Sequence, residues 1–267
     1  MPSLPKGPRR LRRIGAADRL HVTEHLHELR QRLLVSVAAL VVAFAGAYVF
    51  RDALLSALTL PLPPGKRTLV TLSPTEPFLT TMKVCFWAAI LAAMPVWLYQ
   101  LYAFCIPAVG RQSRRVMLAV VGGAATLFLG GVAFGYYLVL GVALRFLLSF
   151  GGDAFVVQLR AGEYFSFATT MLLAAGLVFE LPAAMLAFAR LGIVSAADYV
   201  RQWRIAIVGI AAVAAVLPGG DPISMILLMV PQVVLYGLGV WLARVFGAPT
   251  TRNADRIETS LAGGPLS

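Results

Sequence analysis

An all-α integral membrane protein with six transmembrane helices is the fold class this sequence predicts. Three observations carry it. Of the 267 residues, 59% are hydrophobic and only 13% are charged. Mean hydropathy is +0.81. Several apolar runs approach or exceed the roughly 20 residues needed to cross a hydrocarbon core about 30 Å thick. A net charge of +11 would suggest nucleic acid in a soluble protein, but here the placement of the charge reports topology, and no nucleic-acid partner is expected.

Residues 1–32 form a basic tail (Lys6, Arg9, Arg10, Arg12, Arg13) that passes into a polar, helix-like stretch. This is not a cleavable signal peptide, because the first apolar run begins only at Leu33. In HLHELRQRLL, residues 25–34, Leu26, Leu29 and Leu33 recur at helical spacing. The stretch therefore reads as an amphipathic helix on the cytoplasmic surface that leads into the first span.

Span one runs from Leu33 to Phe50 and is closed by Arg51 and Asp52. The segment PLPPGKRTLVTLSPTEP, rich in proline and turn formers, reads as an ordered loop outside the bilayer. Span two, Phe78 to Phe104, carries Lys83 near its start and Pro95 inside. Span three stays apolar from Val116 to Phe150. That is roughly 52 Å of helix, so its far end, with Arg145, is expected to project from the hydrocarbon.

Span four runs from Tyr164 to Phe188. Residues 205–217 form a fifth run of only about 20 Å, which requires a locally depressed membrane boundary. A tight LPGGDP turn then opens span six, Ile223 to Ala243, interrupted by Pro231. The domain reading is a cytoplasmic tail over 1–32, a membrane domain over 33–245, and a cytoplasmic tail over 246–267 expected to be disordered. With both termini inside, inner segments hold seventeen basic residues and outer loops four (Arg51, Lys66, Arg67, Arg160). That asymmetry predicts an N-in/C-in topology.

No catalytic constellation is present in the sequence. HELRQ, residues 27–31, lacks the second histidine of a zinc-protease motif, and PGKR at 64–67 lacks the upstream glycine of a phosphate loop. The three histidines, His21, His25 and His27, are confined to the N-terminal region, and no metal site or cofactor is expected. Cys85 and Cys105 lie on one apolar run, about 30 Å apart as a helix, too far for a disulfide. An enzyme is not expected.

Three acidic positions stand out instead. Glu28 and Arg32 are spaced for an ion pair, and Glu28 at an interface also suits a bidentate bond from a partner's arginine. Glu180 interrupts an apolar span, where a carboxylate costs about 2.5 to 3.5 kcal/mol and so must face protein or a water-filled hollow. Pro182 cannot donate to the carbonyl of Val178, which predicts a kink beside that glutamate. Glu180 then acts as a structural residue, a proton or ion relay, or a polar contact for another helix. In LPGGDPISM, Gly219 and Gly220 permit a turn, Pro222 opens the next helix, and Asp221 is placed to cap it.

In order along the chain, HLHELRQRL, SPTEPF, WLYQLYAFCIPAV, FELP and LPGGDPIS resemble the TatC family, the multi-spanning subunit of the twin-arginine protein translocase. The resemblance runs from about His25 to Arg244. It implies six helices in a cupped, glove-like bundle in the bacterial cytoplasmic membrane. It also implies binding of twin-arginine signal peptides, assembly with the single-span proteins TatA and TatB, self-association in a receptor complex, and export of folded proteins on the proton-motive force.

By the same resemblance, Glu28 and Phe104 fall in the signal-recognition site, with Arg30 beside them. Glu180 and Pro182 fall on the concave, partner-docking face, and Asp221, Pro74 and Glu76 at the outer turns. The family's usual acidic residue in the first cytoplasmic loop is replaced by Ser113 in GRQSRR; Glu24, one turn before Glu28, is the candidate to supply that charge. The alternative function is a proton-coupled small-solute transporter with Glu180 as carrier. A blander one is a membrane anchor whose basic surface binds lipid.

Overall fold

The computed structural model describes residues 16–105, 114–150, 157–216 and 222–247. These residues are helical throughout their apolar stretches, and no strand occurs among them. Among the described residues, five helical passes are long and apolar enough to cross a membrane: His27–Val49, Glu76–Phe104, Leu118–Phe150, Ala161–Arg190 and Met225–Phe246. A sixth, Trp203–Ala215, is shorter. The expected six passes are therefore present, with the fifth short as its run of apolar residues dictates.

Helix α1 (Ala16–Val49) joins the amphipathic stretch and the first span without a break. It lies against α3 (Glu76–Cys105), tied by the Trp97 indole N–H, which donates to the carbonyl of Ser36 at 3.0 Å. None of its side chains from His27 onward is buried, so lipid supplies most of its apolar surroundings. Cys85 on α3 is buried and unpaired, packed toward the Ala47 carbonyl.

Between them, the sequence reading is corrected. Arg51 and Asp52 do not simply end the span: after a turn at Phe50 they start a short helix, α2 (Arg51–Thr59). Asp52 stands in its first turn, where the helix dipole favours an anion. Leu54, Leu55 and Leu58 turn inward to join the main apolar cluster, which explains why nine residues stay helical. The loop that follows is ordered by backbone-directed bonds. Arg67 donates to the carbonyls of Leu62 and Leu60 (both 3.2 Å), and Lys66 donates to the Val157 carbonyl at 2.8 Å. Val70 forms a single parallel bridge with Arg160, through Val70 N–H to Leu159 O and Ala161 N–H to Val70 O (2.9 Å each).

The long third span is α4 (Arg114–Phe134) and α5 (Gly141–Phe150), joined by one π-helical turn over Gly135–Leu140. The fourth is split into α6 (Ala161–Phe179) and α7 (Leu181–Arg190), with Glu180 at the joint. A short helix, α8 (Ala196–Arg201), follows, with Ser195 and Asp198 bonding each other's backbone N–H at 3.1 Å in a reciprocal cap. Then come α9 (Trp203–Val216) and α10 (Pro222–Phe246). Pro222 does open the last helix, but Pro231 does not interrupt it. Nor does Pro95 break α3. Membrane helices tolerate such prolines because neighbouring groups satisfy the freed carbonyl.

The core sits where α4, the π turn and α5 pack on α6. Phe128, Leu140 and Met171 are fully enclosed there. Gly131 and Gly176 permit the approach: a methyl group at Gly131 would stand 2.6 Å from the Ala175 carbonyl oxygen, and one at Gly176 would stand 2.6 Å from the Phe128 ring. This fixes α6, and with it the joint at Glu180.

Candidate functional site

Two acidic stations are built by different means. At the first, the i,i+4 spacing on α1 places Arg32 one turn beyond Glu28. The guanidinium donates to Glu28 Oε1 through Nε at 3.1 Å and Nη2 at 2.5 Å. The same guanidinium reaches across to α3, where Nη1 donates to Gln100 Oε1 and Nη2 to the Ala103 carbonyl, both at 3.2 Å. Arg32 therefore does more than pair: it anchors Glu28 to the end of α3 that carries Phe104.

Glu28 remains 37% exposed in this arrangement. It is held and oriented, and part of it faces solvent. Charge-assisted bonds of this kind fix a carboxylate's direction more than they stabilise the fold, because the pair is part-solvated. The structure thus brings Glu28 and Phe104 to one end of the α1–α3 pair, with exposed Arg30 beside them. Arg32 and Gln100 complete the station; Gln100 was missed in sequence because a lone glutamine in WLYQLY has no spacing partner on its own helix. The Glu24 side chain, Ser113 and Asp221 lie outside the described residues.

The second station is the α6–α7 joint. Glu180 has φ −74° and ψ −7°, and its N–H still bonds back to Leu177 and Val178. Pro182 enters at the second position of α7, where no N–H is needed, and is fully buried. The kink expected beside Glu180 is therefore a clean change of helix. The carboxylate is half-buried, and its Oε1 is enclosed without a hydrogen-bond partner among the described residues.

On α10, Gln232 is 2% exposed, and its Nε2 likewise lacks a partner. One turn earlier Leu228 packs on Met171 and Ala175 of α6, and Gly239 lets α10 approach Met185 and Pro182 of α7. Among the described residues, α6, α7 and α10 thus contribute one unsatisfied acceptor, on Glu180, and one unsatisfied donor, on Gln232. A buried polar atom without a partner costs about 1–3 kcal/mol, so each calls for an explanation. Gln232 was legible as the single amide in an apolar span, but attention to charged residues alone passes over it.

Glu76, grouped by resemblance with the outer turn, behaves differently. It is 7% exposed and accepts from Leu72 N–H (2.9 Å), Gly162 N–H (3.1 Å) and Arg160 Nε (2.8 Å). In return its hydrogen bond and charge raise the Arg160 guanidinium above its ordinary pKa. Glu76 is a saturated structural carboxylate, and Pro74 beside it is exposed.

The chain is similar to known proteins over most of its length. Residues 24–231 match the family model described as Sec-independent protein translocase protein (TatC). The Sec-independent protein translocase protein TatC of Helicobacter pylori is 36% identical over 221 residues, covering 83% of this chain and 86% of that one. The protein of the same description from Deinococcus radiodurans is 38% identical over 240 residues, covering 87% and 89%. Among solved structures, one described as the twin arginine translocase receptor TatC superposes with a TM-score of 0.72 at 29% identity, covering 83% of this chain and 98% of that one.

Proposed function

The chain belongs to the TatC family, and from that premise we propose that it is the signal-peptide receptor and assembly scaffold of a twin-arginine export system. As a family member it is a membrane-embedded component of a protein translocase and not an enzyme. That sets aside the small-solute transporter considered from sequence.

The observation that carries the receptor reading is the Glu28 carboxylate, held by Arg32 against α3 and 37% exposed. An incoming guanidinium finds an acceptor whose direction is already fixed, so little ordering is required on binding. Arginine suits such a site better than lysine because its planar fork meets both carboxylate oxygens. Phe104 contributes an apolar wall beside that carboxylate. Glu24 supplies the second charge in place of the loop residue that is Ser113 here.

The second part of the proposal concerns Glu180, Pro182 and Gln232. The half-buried Glu180 carboxylate, backed by Pro182 and Gln232, receives a polar side chain from the membrane helix of TatA or TatB, or from the inserted signal segment. The protein sits N-in/C-in in a bacterial cytoplasmic membrane, self-associates in the receptor complex, and works with the proton-motive force.

The deciding experiment captures the full-length protein on signal peptides carrying Arg-Arg or Lys-Lys. Arg-Arg is expected to hold wild type more tightly, and Glu28→Ala to abolish the difference. Equal capture by both peptides overturns the receptor reading. Glu24→Ala is expected to weaken export of a twin-arginine reporter; unchanged export removes Glu24 as the second charge. For the joint, disulfide crosslinks between cysteines placed near Glu180 and a TatA or TatB helix are expected under transport conditions, and their absence removes the docking role.

A further inference from the structure

At the end of the bundle away from Glu28, an open cleft of about 640 Å³ lies between the first turns of α3 and those of α6. Its charges are sorted by depth. Glu76 and Arg160 satisfy each other at the mouth. Glu163, in the first turn of α6, is 77% exposed and stands 3.6 Å from Arg160. Lys83 lies two turns into α3, about 10 Å along the helix axis from Glu76. It is exposed, lines the cleft, and has no ion partner among the described residues.

The wall beside Lys83 is hydroxylic. Ser166 is exposed, and Thr170 donates to the Ser166 carbonyl at 2.7 Å, leaving its own oxygen free to accept. Thr80 is only 6% exposed and lines the same cleft. A lysine near the end of a membrane helix is often explained by snorkelling alone. That explanation leaves out the hydroxyls of Thr80 and Ser166, which line the same cleft as the lysine.

We propose that this cleft binds the headgroup of a zwitterionic, ethanolamine-type phospholipid. The phosphate sits inward on the Lys83 ammonium and the hydroxyls of Thr80 and Ser166, and the lipid ammonium sits outward at Glu163. The order matches the ligand: in such a lipid the phosphate is nearer the acyl chains and the amine nearer water. The balance of two cations and two carboxylates in the cleft suits a zwitterion better than a headgroup with net negative charge. Inorganic phosphate shares the inner half of this chemistry, and phosphatidylglycerol shares it without the amine.

The test uses the full-length protein in nanodiscs of phosphatidylethanolamine or phosphatidylglycerol. Lipid retained after detergent washing is counted by native mass spectrometry. Wild type is expected to keep one phosphatidylethanolamine per chain in preference to phosphatidylglycerol. Lys83→Gln is expected to lower retention of both lipids about tenfold, the loss of one charge-assisted contact. Glu163→Gln is expected to lower phosphatidylethanolamine to the phosphatidylglycerol level and leave phosphatidylglycerol unchanged. Lys83→Arg, which keeps the charge, is expected to restore retention and so exclude misfolding as the cause. Wild-type retention by Lys83→Gln, failure of Lys83→Arg, no preference between the lipids, or displacement by millimolar inorganic phosphate would each overturn the proposal.

Discussion

Glu76, at the start of one membrane pass, and Glu180, at the joint inside another, are treated in opposite ways. Glu76 receives three hydrogen bonds, from Arg160 and from the amides of Leu72 and Gly162. Glu180 keeps an enclosed oxygen without a partner among the described residues, with Gln232 Nε2 equally unserved. The cap around Glu76 is a closed network, braced by Tyr164, whose hydroxyl donates to the Leu58 carbonyl at 2.5 Å. The α6–α7 joint at Glu180 is an incomplete one. A satisfied carboxylate holds a fold together; an unsatisfied one holds a place for something else.

The largest effect is expected at the cap. Glu76→Ala strands Arg160 and two amides, and the thermal midpoint in detergent should fall on the order of 10 °C. Adding Arg160→Gln should recover part of the loss, since the stranded cation is then gone. A fall no larger than that of an exposed substitution would break the comparison. Next comes the packing that aims α6: Gly131→Ala drives a methyl group into the Ala175 carbonyl and should cost about 1–3 kcal/mol, measured by chemical denaturation. Tyr164→Phe removes one bracing bond, for about 1 kcal/mol by the same measurement. The smallest change is expected at the α6–α7 joint. Glu180→Ala should alter stability by less than about 1 kcal/mol, because no bond among the described residues is lost, while recovery of TatA or TatB with the protein drops. If Glu180→Ala unfolds the protein as readily as Glu76→Ala, the distinction fails.

The passes were legible because each is a long apolar run, and a bilayer leaves helices as the only way to satisfy the backbone there. The break at Glu180 was legible too, since Pro182 removes a required donor at a known offset. What could not be read was anything set by the other side of a contact. Arg51 and Asp52 looked like a stop, because only the tertiary cluster around Leu58 shows why helix resumes there. Glu76 looked like one acidic turn residue among several until Arg160, far along the chain, arrived beside it. Arg32 was visible as a partner for Glu28, yet its reach to Gln100 and Ala103 depends on how α1 lies on α3. Pro231 was read as a break because its sequence neighbours do not reveal that α10 carries straight through.

The π-helical turn over Gly135–Leu140 has a consequence for how this chain tolerates changes of length. It places two adjacent residues, Val139 and Leu140, both fully inside, although neighbours on a regular helix point about 100° apart. Such a turn amounts to one surplus residue absorbed without ending the helix. Deleting a residue there would return the span to ordinary winding and leave everything after it, Arg145 included, in nearly the same angular phase relative to α4, because a π turn rotates less per residue. The longest pass can therefore lose one residue at this turn without re-aiming its far half.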